Sequence, residues 1–157
     1  MPRKSKPKTQ TQLDNETNNR LLRTYGITLA EYEEQLRRQL GGCAICHRPP
    51  ANLRLHTDHD HALQRLRIDS WKDNGIWHSR LRSDQWAVGE TTGRTKSKSL
   101  QALRLILKRR SVRGLLCAQH NRGLRFFGDD PKLLRAAADY LEVHQNVGWI
   151  QQLSETT

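Results

Sequence analysis

Two pairs of metal-ligating residues constrain the fold of this chain more than any other feature. Cys43-x-x-Cys46 and Cys117-x-x-His120 are separated by residues 47–116, and together they use all three cysteines of the sequence. Each pair can fill two corners of a tetrahedron, and thiolates with one imidazole suit Zn²⁺. Because four protein ligands leave no open position, we expect a structural zinc that supplies folding free energy directly.

Other interpretations of these residues are open. A single CxxC can be a redox pair, although the βαβ context of such pairs is missing here. Cys117 and His120 can also be a buried thiol and an unrelated surface histidine. An odd number of cysteines behind a basic, polar N-terminus without a secretory signal argues against a disulfide framework. Shared zinc is the better prediction, since every cysteine is used and both spacings are typical of zinc sites.

The composition indicates a polyanionic partner. Lys and Arg number 27 against 16 Asp and Glu, which gives a net charge of +11. That charge favours nucleic acid first and an anionic membrane surface second. No apolar run is long enough to span a bilayer, so we expect a cytoplasmic protein without a membrane segment. The hydrophobic content of 35% is low for a compact globule, so a metal or poorly ordered segments are expected.

The sequence pattern predicts one α+β domain between two tails. Residues 1–18 read as a flexible basic arm, residues 19–143 as the domain and residues 144–157 as a C-terminal tail. The pattern predicts helices over 29–40, 99–110 and 131–145, strands over 53–59 and 111–116, and a loop over 89–98. The first helix begins with a capping box, Thr28 and Glu31, and turns Leu29, Tyr32, Leu36 and Leu40 to one face. The last is capped by Asp130 and is expected to bury Leu134, Ala137, Ala138 and Leu141.

An insertion at about 64–110 separates the two predicted strands. Residues 64–111 hold 12 Lys and Arg against 4 Asp and Glu, together with Trp71, Trp77 and Trp86. Such a segment can track a phosphate backbone and stack on exposed bases. Alternatively, the tryptophans form the small core of an added subdomain and the charges are a solvated face. The sequence leaves both interpretations open, and they are compatible.

The stretch LHTDHDHA, residues 55–62, concentrates three histidines and two aspartates. It follows the first chelating pair, and Asn121 follows the second, so a shared zinc would bring the two together. Histidine, aspartate and asparagine offer nitrogen and oxygen ligands, which suit Mg²⁺ or Mn²⁺. A histidine that is not bound to metal can act as a general base, since its reference pKa lies near neutrality.

The two motifs in combination resemble a known family. HTDHDH on one strand, VRGLLCAQHN on the next and a helix after it are similar to the recombination endonuclease VII family of phages. That family belongs to the HNH, or ββα-metal, nuclease superfamily. The resemblance covers about residues 24–62 and 111–143, including the segment GLRFFGDDPKLLRAAADYL. It implies a small zinc-stabilised α+β nuclease domain and a metal-dependent DNA endonuclease acting in the cytoplasm of a bacterial host.

The resemblance also implies roles for single residues. Asp58 and Asn121 would hold one catalytic Mg²⁺ or Mn²⁺, and His59 would be the general base. Cleavage would leave a 5′ phosphate and a 3′ hydroxyl. His61 would support catalysis, and contacts to DNA are expected from His56, Arg113 and Arg122. A plain surface arginine is an equally good interpretation of Arg113.

Two departures from the family pattern bear on these expectations. The usual fourth zinc ligand is cysteine and here it is His120, but Cys₃His is an accepted zinc set. The insertion stands where a short hairpin loop is typical, which leaves branched and duplex DNA both open as substrates. Pairing of two chains into a homodimer would suit a symmetric junction.

Two non-catalytic functions are the alternatives. The first is a zinc-stabilised DNA-binding protein, and the second is a structural zinc protein with anionic partners. Neither needs Asp58, His59 and Asn121 around a zinc knuckle, so these three residues favour the nuclease.

Overall fold

A computed structural model describes residues 7–50, 54–82 and 88–144, which form two compact units divided after Leu116. The first unit contains α1 (Gln10–Tyr25), α2 (Leu29–Arg38), β1 (His56–His59), α3 (His61–Gln64), β2 (Ile68–Asp73), β3 (Ile76–Leu81), β4 (Glu90–Gly93), α4 (Lys96–Ser111) and β5 (Val112–Leu116). The second contains α5 (Ala118–Phe126) and α6 (Pro131–His144). Helices and two small sheets confirm the predicted α+β class.

The two strands that carry the motifs pair with each other. β1 and β5 form a two-stranded antiparallel sheet in which His56 lies opposite Leu116 and His59 opposite Val112. Both strands were predicted from the sequence, although β1 is shorter than the predicted range of 53–59. α4 runs directly into β5, so this helix connects the insertion to the two-stranded sheet.

The insertion is a folded subdomain. Its strands form an antiparallel sheet in the order β2-β3-β4, against which α4 packs. Hydroxyl groups fill the contact: Ser99 Oγ of α4 donates to Ser79 Oγ at 2.5 Å, and Thr91 Oγ1 donates to the Ser99 carbonyl at 2.8 Å. The predicted helix over 99–110 is confirmed but starts earlier, and the predicted loop over 89–98 is wrong because β4 and the first turn of α4 occupy it.

The N-terminal segment is helical where a flexible arm was expected up to residue 18. α1 begins after Thr9, whose hydroxyl and Gln12 form a capping box, so residues 10–18 are corrected to helix. The helix is held by Leu21, which is 2% exposed, and it ends at Gly26 with φ of 74°. A Cβ at Gly26 would lie 3.0 Å from the Leu105 carbonyl, so glycine permits close packing of α1 on α4. Residues 1–6 of the predicted arm lie outside the described residues.

The capping box of α2 is confirmed, but one position of its predicted apolar face is wrong. Tyr32 is buried and its hydroxyl donates to the Leu55 carbonyl at 2.9 Å, which ties α2 to the segment before β1. Leu40 is 96% exposed, because the helix ends at Arg38 and the backbone at Leu40 turns left-handed, with φ of 55°. The buried hydrophobic residues of the unit are Leu21, Ile27, Tyr32, Cys43, Leu55, Leu63, Leu103, Leu107, Leu115 and Leu116.

The second unit confirms the predicted start of the closing helix but not its buried face. Asp130 Oδ1 accepts from the Lys132 N–H at 2.8 Å, as expected of a cap before Pro131. No residue of α6 is buried in the described part of the chain, and Leu141 is 60% exposed. The tail prediction over 144–157 lies outside the described residues beyond His144. Across the described segments, no helix combines the length and apolarity needed to cross a membrane.

Candidate active site and metal centre

An irregularity in the β1–β5 ladder shapes the site. Asp58 lies opposite Gly114 and His59 opposite Val112, so Arg113 falls between the two pairs with no residue facing it. An extra residue of this kind is a β-bulge, which bends the strand and redirects a side chain. Gly114 beside it leaves room for Gln39, since a Cβ there would lie only 3.2 Å from Gln39 Oε1. The sequence Arg-Gly therefore lets Arg113 reach the Asp58 side chain across the hairpin.

Arg113 and Asp58 form a two-pronged ion pair. Arg113 Nε donates to Asp58 Oδ2 at 2.8 Å and Nη2 donates to Oδ1 at 2.9 Å. The Asp58 side chain is 11% exposed and that of Arg113 is 37% exposed. A carboxylate so far from water needs such a partner, and the planar guanidinium fixes both oxygens at once. The Asp58 carboxylate is thus held in one orientation on β1, opposite Gly114 of β5.

His59 lies beside this pair in a half-buried position. Its ring is 4.3 Å from the His61 ring and 5.2 Å from the Tyr25 ring, measured between centroids. Burial lowers the pKa of His59 below its ordinary value of 6.5, and positive charge on His61 lowers that pKa further. A backbone hydrogen bond to Thr57 and the Asp58 carboxylate act in the opposite direction. The net effect favours a neutral imidazole near pH 7, the form that can accept a proton.

The other polar residues of the motif have separate structural roles. Asp60 is the N-cap of α3, and its Oδ1 accepts from the Ala62 N–H at 2.7 Å. That cap starts the helix at His61 and so sets the position of the His61 ring against His59. His56, at the start of β1, is exposed and lines a small depression with Arg20 and Arg54. The structure therefore brings Asp58, His59, His61 and Arg113 together.

Asn121 and Arg122 belong to the second unit and are described within it. Both lie in α5, where the Asn121 N–H donates to the Cys117 carbonyl at 3.0 Å. Asn121 is half-buried and Arg122 is exposed. Their parts in cation and DNA binding stay predictions. The carboxylate of Asp58 and the amide oxygen of Asn121 are chemically suited to Mg²⁺ or Mn²⁺.

The four predicted zinc ligands lie together. One potential ligand atom from each of Cys43, Cys46, Cys117 and His120 lies within 4.8 Å of the other three. Cys117 Sγ is 3.1 Å from His120 Nδ1, so sulfur and ring nitrogen already face the same point. Three thiolates and an imidazole at these separations could hold zinc with tetrahedral coordination, which fits the group that the sequence implies.

The first cysteine pair is presented by a tight turn. The Cys43 N–H donates to the Arg48 carbonyl at 3.0 Å, and the His47 N–H donates to the Cys43 carbonyl at 2.8 Å. A Cβ at Gly42 would lie 2.2 Å from the His47 carbonyl oxygen, a distance that no side chain tolerates. The Ala44 N–H donates to the Leu115 carbonyl at 3.0 Å, which fixes the turn to β5.

Two contributors to the site were missed in the sequence. Tyr25 packs its ring edge against His59 from the end of α1, a segment that was assigned no role. Gln39 clamps Leu115: its Nε2 donates to the Leu115 carbonyl at 2.8 Å, and its Oε1 accepts from the Leu115 N–H at 2.9 Å. Neither residue is part of a recognisable metal-binding or catalytic motif. The only sequence signal for them is their position at the end of a helix, shortly before Gly26 and Gly41.

The comparison with known families identifies the family of the chain. The sequence model of recombination endonuclease VII matches residues 18–143, well over half of the chain and all residues discussed in this subsection. No match was found among curated proteins or among solved structures. The matched range includes both metal-binding pairs, the bulged hairpin and the insertion. This protein belongs to the recombination endonuclease VII family, and as a member it is a nuclease that acts on DNA.

Proposed function

We propose that the protein is a divalent-metal-dependent HNH endonuclease that hydrolyses phosphodiester bonds of branched or duplex DNA. The observation that carries this proposal is the pairing of two unlike groups on one strand. Asp58 is fixed by Arg113 in two hydrogen bonds, and the adjacent His59 has a lowered pKa in a half-buried position. An oriented carboxylate beside a neutral imidazole is what metal-assisted hydrolysis needs.

His59 acts as the general base in this proposal. Its neutral ring takes a proton from a water molecule, and the water oxygen bonds to the scissile phosphorus. The bond from phosphorus to the 3′ oxygen breaks, and that oxygen is protonated by solvent, which leaves a 5′ phosphate and a 3′ hydroxyl. Contacts with Tyr25 and His61 hold the ring in place, so its unprotonated nitrogen needs no reorientation before reaction.

Asp58 and Asn121 would hold the catalytic cation. When bound, Mg²⁺ or Mn²⁺ polarises a phosphoryl oxygen and stabilises the charge on the leaving oxygen. Arg113 orients the Asp58 carboxylate through one hydrogen bond to each oxygen, and a carboxylate oxygen has a second lone pair with which it could bind a cation. Arg113 is therefore assigned as a positioning residue, in place of the phosphate contact predicted from the sequence.

A cleavage assay tests the proposal and its rival. The zinc-loaded protein is incubated with a labelled four-way junction and with a linear duplex of the same arms, in Mg²⁺ and in its absence. We expect Mg²⁺-dependent cleavage with a ligatable 5′ phosphate and 3′ hydroxyl. His144→Ala, which removes a histidine from α6, is the control and keeps full activity. Binding of both substrates without any cleavage would instead establish a non-catalytic DNA-binding protein.

A further inference from the structure

The outer side of α4 forms a strongly basic groove. Together with the end of α1, this side of α4 lines an open groove with a volume of about 930 Å³. Five of the eleven lining residues are basic and none is acidic. The five cations of this basic groove are Arg23, Lys96, Lys98, Arg104 and Lys108. Such a one-signed surface concentrates positive potential in a concave site, which attracts a polyanion.

The charges of the basic groove are not neutralised by the protein. Among the described residues, none of the five forms an ion pair with a carboxylate, whereas the nearby Arg109 pairs with Glu31 and Arg82 with Asp69. Lys108 donates to the Arg23 carbonyl at 2.6 Å, which joins the two helices and leaves both positive charges uncompensated. Among the described residues, no aspartate or glutamate lines this surface.

The cations also have a regular spacing. Lys96, Arg104 and Lys108 lie on one ridge of α4, at intervals of four or eight residues. Four residues of helix rise about 6 Å, and one DNA strand carries a phosphate for each 3.4 Å of axis or so. Arg104 and Lys108, one turn apart, therefore match alternate phosphates along a strand, and Lys96 lies two turns before Arg104 on the same ridge. Serine and glutamine side chains between them, Ser97 and Gln101, can add neutral hydrogen bonds to phosphate oxygens.

The groove leads toward the catalytic strand. Lys108 lies four residues before Val112, and Val112 is the residue opposite His59 in the β1–β5 pair. The Ser111 carbonyl at the end of α4 accepts from the Asp60 N–H at 2.8 Å, so helix and motif are directly bonded. The helix that lines the groove therefore ends at the hairpin that carries Asp58 and His59.

We propose that the basic groove binds the sugar-phosphate backbone of DNA at a distance from the scissile phosphate. The choice of DNA as the polyanion rests on the proposed function. In this proposal the groove adds affinity without reading sequence, because contacts from cations to phosphates carry no sequence information. It gives the insertion a function, since α4 supplies four of the five cations.

Salt-dependent binding tests this inference in the full-length, zinc-loaded protein. The groove variant carries Arg23→Gln, Lys98→Gln and Arg104→Gln, three exposed side chains for which no side-chain hydrogen bond is found in the described chain. The control carries Lys72→Gln, Lys132→Gln and Arg135→Gln, which are exposed elsewhere. Both variants lower the net charge from +11 to +8, by removing three positive charges.

Fluorescence anisotropy with a labelled duplex, over a range of salt and without added divalent cation, measures the slope of log K against log salt. Three lost phosphate contacts predict a slope smaller by about 2.7 in the groove variant, and a change below about 1 in the control. Equal slopes in the two variants would overturn the inference, because overall charge would then explain binding. So would a groove variant that loses only its binding to vesicles of phosphatidylserine and phosphatidylcholine.

The result is independent of the nuclease proposal. Binding is read without cleavage, so a protein that binds through the groove but cuts nothing refutes the proposed activity and keeps this inference. If thermal melting shows that the triple variant is unfolded, Lys98→Glu alone is used. We then expect a slope smaller by about 0.9 or more, and an unchanged slope would overturn the inference.

Discussion

The ion pair between Asp58 and Arg113 decides how the candidate active site is organised. Asp58 is nearly buried, so its orientation depends on a single guanidinium that a β-bulge points at it. The aspartate was recognisable from its motif, but the pairing was not, because the register of a bulged ladder is not encoded in residue spacing. This is why the sequence could assign Arg113 equally to phosphate or to a plain surface.

A double-mutant cycle measures the pair. We expect Asp58→Ala and Arg113→Ala to be coupled by about 1–3 kcal/mol in the free energy of unfolding, because each change removes both hydrogen bonds of the pair and Arg113→Ala takes them from a poorly solvated carboxylate. The coupling is below that of a fully buried pair, since Arg113 is more than a third exposed. Urea unfolding of the two single variants and the double variant provides the numbers. Additive effects within about 0.5 kcal/mol would show that the contact is not energetically significant.

The protonation of His59 is a second property of a single side chain. Because burial and His61 lower its pKa, we expect its ring to titrate below 6.5 in an NMR experiment without added magnesium. His61→Asn removes the like charge and should move the midpoint upward, while burial keeps it below 6.5. The charged and titratable groups that face the ring, Tyr25, Asp58 and Arg113, are unchanged in that variant. A midpoint at or above 6.5 in the wild type contradicts this account.

The lowered pKa also has a consequence for stability. The unfolded chain takes up a proton on His59 at a higher pH than the folded chain does. Stability should therefore fall as pH drops from 6.5 to the folded pKa of His59, and this contribution should level off below that value.

In the turn that carries Cys43 and Cys46, the backbone geometry allows only glycine at position 42. Gly42→Ala should destabilise the protein by about 1–3 kcal/mol, because the new methyl group meets the His47 carbonyl and the turn must open. Gly123→Ala is a matched control: nothing lies within 4 Å of its Cβ position in α5, and alanine favours helix. Thermal melting compares the two. Equal stability of both variants would show that the turn is looser than described.

Whether a helix or strand could be predicted depends on which residues stabilise it and whether those residues form a recognisable sequence pattern. α2 and α6 were found because capping residues mark their starts, and β1 and β5 because they carry the metal and catalytic motifs. The strands β2, β3 and β4 were missed because polar residues meet inside the sheet, the buried Ser79 and the half-buried Ser70 and Thr91, so no apolar alternation marks the strands. Residues 10–18 of α1 were mistaken for part of an arm because they are mostly polar, and the one buried residue of the helix, Leu21, comes after them.

The tryptophans of the insertion illustrate the same limit. Trp71 and Trp77 are half-buried, and each has a cation over its ring, Arg80 at 5.1 Å and Lys96 at 5.7 Å. The fully buried side chains of α4 are instead Leu103, Ser99 and Ser111. Composition identified the aromatic residues, but it could not decide which of them face the interior. Trp86 lies outside the described residues.

For the molecule as a whole, the zinc cluster is the expected source of stability in a chain with little apolar material. We expect about one zinc per chain by elemental analysis and a large loss of helical circular dichroism when zinc is removed. His120→Ala should lower both zinc content and melting temperature, whereas His144→Ala should change neither. Unaltered zinc content in His120→Ala would mean that this histidine is not a ligand.

His59 is proposed to activate the attacking water, and the single-turnover rate of junction cleavage by His59→Ala tests this role, at wild-type zinc content and saturating Mg²⁺. We expect a rate about 10²–10⁴-fold below that of the wild type, with junction binding unchanged. A rate within a few-fold of the wild type, in a folded and zinc-loaded variant, would contradict it.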